Sequence, residues 1–276
     1  MTEHDVATLV EFGEVNAWAD MYLSAPPALT EELGLRVEHF GSAVARRMGS
    51  INMAFFNSVI GLGVIEPATE EMVDAIVAFY SEAGVEFMVQ LSPAAQPAEL
   101  PDWLEARGVK RSRNWVKVFR GVEPPPEINS DIRIEQVGPD LAAVFAETAF
   151  TGYEFPPFFR PIIPWLSLQI GRPGWFHYLG FDGDMPVSTG GLYVRDGVGW
   201  LGYGSTLPSH RRRGGQGAMF ARRITDAIAQ GCHRLVTETG EETAEEPNPS
   251  LHNMLRVGFE VAYLRPNFVF RADPDS

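Results

Sequence analysis

The densest chemistry in the sequence lies at Arg211, Arg212 and Arg213, followed by glycines at 214, 215 and 217 and a run with helical spacing. Three guanidinium groups beside a glycine-rich turn suit an anion with several oxygens, because guanidinium presents paired donors that match phosphate geometry. A helix start adds to this. Its first amides lack intrahelical partners, and Gly214, Gly215 and Gly217 carry no side chain to hold a ligand off the backbone. The helix dipole contributes only about 0.3–1 kcal/mol, against roughly 1.5–3 kcal/mol for each charge-assisted hydrogen bond, so amides and guanidinium groups dominate. Residues 209–223 therefore read as a phosphate cradle.

Such a cradle must be positioned by a strand before it and a helix after it. Phe220, Ile224, Ala227 and Ile228 share one helical face, and Gly231 closes the run. Residues 199–207, interrupted by glycines and ended by Pro208, read as the strand. Two other phosphate loops also join a strand to a helix. The Gly-Lys-Ser/Thr ending of the Walker loop is absent, and Gly214, Gly215 and Gly217 do not form the dinucleotide G-x-G-x-x-G spacing.

The rest of the chain supplies further elements. Val6 to Tyr22 follow a helical pattern that Pro26 and Pro27 stop, and LRVEHF and NMAFFNSVI read as strands. Thr69 caps a helix with Glu70 and Glu71 in its first turn, running to Gly84; strand EFMVQLS, a short helix around PDWLEARG and strand NWVKVFR follow. The three prolines of residues 121–131, GVEPPPEINSD, mark a linker between domains 1–120 and 132–276. Beyond it a helix begins at Pro139, and FTGYEFPPFFRPIIPW reads as a long loop of the functional kind, without regular structure. Strands WFHYLGF and MPVSTGGLYV flank a turn at Asp182-Gly183-Asp184. After the cradle helix come strand HRLVTET, polar loop EETAEEPNP, helix SLHNMLRVG and strand VAYLRPNFVFR, which makes the half an α/β layered sheet.

Composition sets limits on partners. With 276 residues, 45% hydrophobic, the chain has ample core, and a net charge of −14 argues against nucleic acid, which needs a basic surface. Screening over roughly 8 Å at physiological salt leaves the arginine cluster dominant in its own surroundings. The lone Cys232 cannot form an internal disulfide and is expected buried at a helix-to-strand turn. The first residues have neither a basic start nor an apolar run, and no stretch of about 20 apolar residues is present to span a bilayer. A cytoplasmic location without membrane or metal is the expectation.

The two halves also resemble one another. Gly84, Met88 and Val89 align without gaps on Gly231, Leu235 and Val236, each set after an amphipathic helix. A second glycine lies 24 residues on in one half (Gly108) and 27 in the other (Gly258), each leading to a last strand with Asn-aromatic-Val at 114–116 and 267–269. This suggests two copies of one fold. At the cradle position the first half has VIGLGVIEPATEE, without arginine and with acidic residues that repel phosphate.

The cradle resembles the acyl-CoA signature of the GCN5-related N-acetyltransferases (GNATs), Gln/Arg-x-x-Gly-x-Gly/Ala, satisfied by Arg212, Gly215 and Gly217. A second register begins at Arg211 and puts Gln216 where Gly or Ala is usual. The likeness extends over 132–271 in element order and in NPSLHNMLRVGF, and more weakly over the first half. It implies two GNAT-like mixed-sheet domains in tandem, each a central α/β sheet flanked by helices, the N-terminal copy degenerate. It further implies direct acetyl transfer from acetyl-CoA, the acyl donor, to an amine on a small molecule or peptide. The backbone of Ser205, Thr206 and Leu207 would then pair with pantetheine, and the amides of Arg212 through Ala218, with Arg211, Arg213 and Gln216, would meet the pyrophosphate. Asn248, Ser250 and Asn253 are further cofactor candidates, with helix capping as the alternative reading of Asn248 and Ser250.

An alkylamine is mostly protonated near neutrality and must lose a proton before attacking a thioester, while the leaving thiolate gains from a proton donor. The family often supplies these from a Glu on the cofactor strand and a Tyr in the last helix. Here Trp200 and Met254 stand at those positions. Glu238 and Tyr203 are the nearest catalytic candidates, with a solvated strand-end carboxylate and a core aromatic as the alternative readings. The acidic run Glu241 to Glu246 is either a draw for a cationic acceptor or a solvated face. An acetyltransferase is the leading expectation; a non-catalytic CoA-binding or regulatory module is the alternative that the two departures motivate.

Overall fold

In the computed structural model, which describes residues 2–271, the chain alternates helices and strands in the order α1 (Glu3–Leu23), α2 (Pro27–Leu33), β1 (Leu35–Phe40), β2 (Ala43–Met48), β3 (Ser58–Ile60), α3 (Glu70–Ser81), β4 (Phe87–Gln90), α4 (Leu100–Ala106) and β5 (Lys110–Arg120). Then come β6 (Arg133–Val137), α5 (Ala142–Gly152), α6 (Ile163–Leu166), β7 (Trp175–Asp182), β8 (Met185–Arg195), β9 (Val198–Thr206), α7 (Gly215–Ala229), β10 (Arg234–Gly240), α8 (Pro249–Arg256) and β11 (Glu260–Phe270). The chain divides into two compact units, one up to Lys117 together with the segment from Ala262, the other Val118–Val261. The boundary thus falls just before the proline-rich segment. The last strand of the expected domain 132–276 belongs with the first unit, because Asn267 to Phe270 pair antiparallel with Gln90 to Phe87.

In the first unit the strand order is β1-β2-β3-β4-β11-β5. Strands β1, β2 and β3 form an antiparallel meander, and β3 then pairs parallel with β4. Val73, Ile76 and Tyr80 of α3 pack with Phe87 and Val89 of β4, Leu100 and Leu104 of α4 and Phe268 of β11 in one apolar core. Three elements differ from the sequence reading. Pro27 begins α2, since proline suits a first helical turn. AVARRM forms β2, its buried Arg46 lying 3.6 Å over the Trp18 ring, so the arginines that disguise the strand are in part core residues. Of the expected strand NMAFFNSVI only Ser58–Ile60 is extended. Asn57 bends the remainder, accepting from Met48 N and donating to the Ile51 and Met53 carbonyls.

The second unit has the order β10-β9-β8-β7-β6. Strands β6 to β9 are antiparallel, and β9 pairs parallel with β10. Helix α7 buries Met219, Phe220, Ile224 and Ala227 against this sheet, and Tyr178 of β7 donates to Asp226 at 2.8 Å. The run FTGYEFPPFFRPIIPW is more ordered than expected: α5 reaches Gly152, and Pro157–Ile162 forms a 3-10 helix that leads into α6. Prolines at first-turn positions explain both short helices. Cys232 is buried, and burial pushes its thiol up to about 11, which leaves it inert at neutral pH.

Candidate functional site

Strands β9 and β10 part company along their length. Their register runs Val198↔Arg234, Gly199↔Leu235 and Trp200↔Val236, and the Thr237 hydroxyl donates to Leu201 O at 2.6 Å. Beyond that point β9 continues to Thr206 and β10 to Gly240 without further register pairs. A bulge bends β9 at the same place. Its register with β8 passes from Gly191↔Gly202 to Thr189↔Ser205, so Tyr203 and Gly204 together face Gly190, with Tyr203 at φ +55°. A non-glycine residue there is strained, and such strain collects at functional sites. Of the expected open backbone, Leu207 is already engaged: its N–H donates to Val187 O at 2.9 Å, and its carbonyl accepts from His210 N. Ser205 is buried with its hydroxyl 2.7 Å from that of Thr189, and Thr206 O accepts from Arg211 Nε at 3.2 Å.

The chain then turns into α7 through two left-handed residues, Arg212 at φ +66° and Gly214 at φ +75°. Gly214 caps the helix without a side-chain hydrogen bond, so no cap occupies the first-turn amides. The three arginines have different surroundings. Arg211 donates to Glu154 and Gly152 O, tying the end of α5 to the end of β9. Arg213 is held by Asp182 at 2.5 Å and by Asp131, and its carbonyl accepts from Ser130. His210 adds a 3.3 Å contact to Asp182. The Arg213 hydrogen bonds hold both Asp carboxyls below their usual range. Arg212 is exposed, and among the described residues no carboxylate pairs with it.

The glycines act differently from the sequence expectation. A Cβ at Gly214 would meet Asn129 O at 2.8 Å, one at Gly217 would meet Ile128 at 3.3 Å, and one at Gly215 would meet Ile132 at 3.4 Å. The missing side chains of Gly214 and Gly217 make room for Asn129 and Ile128 of the proline-rich segment, which buttresses the loop from behind, whereas a Cβ at Gly215 would make only ordinary contact. Gly204 on β9 and Gly240 at the end of β10 are open, with nothing within 4 Å of an added Cβ. Gln216 reaches to α8, donating to Ser250 at 2.9 Å and accepting from Asn253 at 2.6 Å. Asn248 caps α8 through Ser250 N and Leu251 N and donates to Gly240 O and Thr239, so the capping reading describes its side chain. Ala218 N closes the first helical bond to Gly214 O at 3.0 Å.

Glu238 is half-buried on β10 and accepts from Trp200 Nε1 at 3.3 Å. The residue at the usual Glu position thus reaches the carboxylate on the neighbouring strand. Tyr203 turns the other way. Its hydroxyl donates to Gln169 at 2.8 Å among the rings of Phe145, His177 and Trp175, which makes it a core residue rather than a proton donor to the strand gap. Met254 is buried on α8. A phenol that the sequence reading did not weigh, Tyr153, stands at the end of α5. Its side chain is 40% exposed, while burial at the hydroxyl end pushes that group's pKa up, with the Arg223 charge opposing and Glu238 adding to the effect. The only signal for it was its place in the aromatic, proline-rich run.

No family model matches the sequence, and no curated protein matches it. Solved structures do resemble it. A GCN5-related N-acetyltransferase from Kribbella flavida matches at TM-score 0.60 and 18% identity, over 88% of this chain and 93% of that one. One from Sphaerobacter thermophilus matches at TM-score 0.61 and 17% identity, over 84% and 81%. A tandem GNAT protein from the clavulanic acid biosynthesis pathway matches at TM-score 0.58 and 13% identity, over 99% and 95%. The parted parallel strands, the bulged β9 and the loop into α7 thus stand in a mixed sheet shared with these proteins, and the chain has the fold of the GCN5-related N-acetyltransferases.

Proposed function

We propose that the protein is an acetyl-CoA-dependent N-acetyltransferase with one donor site, in the unit Val118–Val261, and that the first unit is a degenerate copy of the same fold. The observation that carries this is the gap between β9 and β10 beyond Trp200 and Val236, which ends at a helix start without a side-chain cap. The residues present fit a CoA donor. The unpaired edge of β9 around Gly204 to Thr206 suits the pantetheine amides as an added strand. Arg212 and the first amides of α7, Gly214 to Gly217, suit the pyrophosphate, Ala218 N being engaged by Gly214 O. Arg211, Arg213 and Gln216 hold this loop in shape through Glu154, Asp131, Asp182, Ser250 and Asn253. Such a donor also fits the cytoplasm expected from the sequence.

In the transfer, a neutral amine on a small molecule or peptide forms the new C–N bond, the C–S bond breaks, and the amine's proton ends on the sulfur. Glu238 is the base in this reading, directly or through water, because it is the carboxylate on the strand that borders the gap. Release of free thiol from acetyl-CoA against an amine panel is the test. Turnover is expected with at least one amine, and Glu238→Gln should lower kcat by roughly 10²–10⁴ with CoA affinity retained. Trp200 and Met254 at the usual acid–base positions favour the second reading, a CoA-binding module without catalysis. CoA binding without turnover of any amine would establish that reading instead.

A further inference from the structure

Arg223 lies on the buried face of α7, 2% exposed, directly under the bulge in β9. Its Nη1 donates to Gly191 O at 3.1 Å and to Gly202 O at 3.0 Å, and its Nε donates to Met219 O at 3.2 Å. The guanidinium also lies 4.8 Å over the Phe220 ring. Among the described residues no carboxylate pairs with it. Burial pushes its pKa down to about 10, with Tyr178 and Tyr153 opposing, so the group remains a cation at neutral pH. The strand has made room for it: a Cβ at Gly190 would stand 2.6 Å from Met219 Sδ and 3.2 Å from Arg223 Nε. A buried, permanently charged group without a counter-ion is expensive, and an apolar side chain of similar volume is often the more stable choice. Its place in the fold suggests what it is for.

Gly191 and Gly202 are the register pair at which the bulge begins, and Gly202 follows Leu201, where β9 and β10 part. The Gly202 carbonyl belongs to the same peptide as the Tyr203 N–H, so a cation on the oxygen polarises that N–H. Preorganised charge in a water-poor site acts more strongly on developing charge than it would in water. We propose that Arg223 is a positioning residue, whose buried charge acts through the Gly202 and Gly191 carbonyls to favour negative charge where β9 and β10 separate. The inference rests on the donor-site reading above. During aminolysis of a thioester, negative charge collects first on the carbonyl oxygen and then, as the C–S bond breaks, on the sulfur that accepts the amine's proton. Arg223 touches neither; it sets the field in which both become anionic.

The test reads the thiol of CoA bound to the full chain, by its ultraviolet thiolate absorbance across pH, with desulfo-CoA as the blank. The titratable groups that act on Arg223 are Tyr178 on β7 and Tyr153 after α5; Glu238 on β10 acts in turn on Tyr153, and Arg222 and Asp226 on α7 act on Tyr178. All are retained in the variants. The bound thiol should be about tenfold more acidic than free CoA, a shift of one pKa unit. Arg223→Met and Arg223→Gln should remove that shift, and Arg223→Lys should keep part of it. A merely structural arginine would leave the thiol unmoved in every variant that folds. A wild-type thiol no more acidic than free CoA overturns the inference without recourse to any variant, so a variant that fails to fold does not protect it. Failure of CoA to bind the wild-type chain would overturn the donor-site reading as well, which separates the two failures.

Discussion

His177 on β7 is 1% exposed, packed between Phe145, Trp175 and Tyr203, and neither ring nitrogen has a hydrogen-bond partner among the described residues. Burial pushes its pKa from the ordinary 6.5 down to about 3. The unfolded chain therefore binds a proton below 6.5 that the folded chain refuses, and the stability lost grows as pH falls from there toward 3. Between pH 7 and pH 5 this one group should cost about 2 kcal/mol. Urea unfolding at both pH values should show that loss in the wild type and its removal in His177→Phe; equal acid sensitivity in both would contradict it. Residue types were legible in the sequence here, and partners were not. Nothing near Arg211, Arg212 and Arg213 says which guanidinium is already paired. Asp131 and Asp182, which hold Arg213, and Glu154, which holds Arg211, lie far away along the chain. The same distance hid the turning of Tyr203 toward Gln169.

At the scale of elements, glycines proved the most legible features. Gly84, Gly108, Gly231 and Gly258, matched between the halves by spacing alone, all take left-handed φ of +61°, +79°, +80° and +87° where a helix hands over to a strand. What spacing does not reveal is how a strand is fastened. Arg265 of β11 and Lys117 of β5 meet Glu14 of α1, each at 2.6 Å, and Arg265 also reaches Glu11 at 3.0 Å. Burial by itself would raise the Glu14 carboxyl, but the Arg265 and Lys117 charges outweigh it and hold the pKa down to about 2. That contribution is present above the ordinary 4.5 and is lost as pH falls through about 2. Removing one partner of a buried ionic cluster strands the others, so Glu14→Gln should cost about 3–5 kcal/mol by denaturant unfolding at pH 7. A loss below about 1 kcal/mol, as for an exposed pair, would contradict the assigned role.

For the whole molecule, the two units differ where an anion would bind. In the first, Thr69 caps α3 by accepting from Met72 N, Glu70 and Glu71 occupy its first turn, and β3 stays in register with β4 to its last residue, Ile60 opposite Gln90. In the second, the strands part and the helix starts without a side-chain cap. Overall charge gives no guide to this difference, since a chain of net charge −14 carries its cationic cluster in one short loop. Calorimetric titration of the full chain with acetyl-CoA tests the account most directly. One equivalent should bind per chain, and Arg212→Ala should lose roughly 1.5–3 kcal/mol of affinity for acetyl-CoA but none for S-acetylpantetheine, which lacks the phosphates. Two equivalents per chain, or an equal loss for both ligands, would contradict a single phosphate cradle before α7.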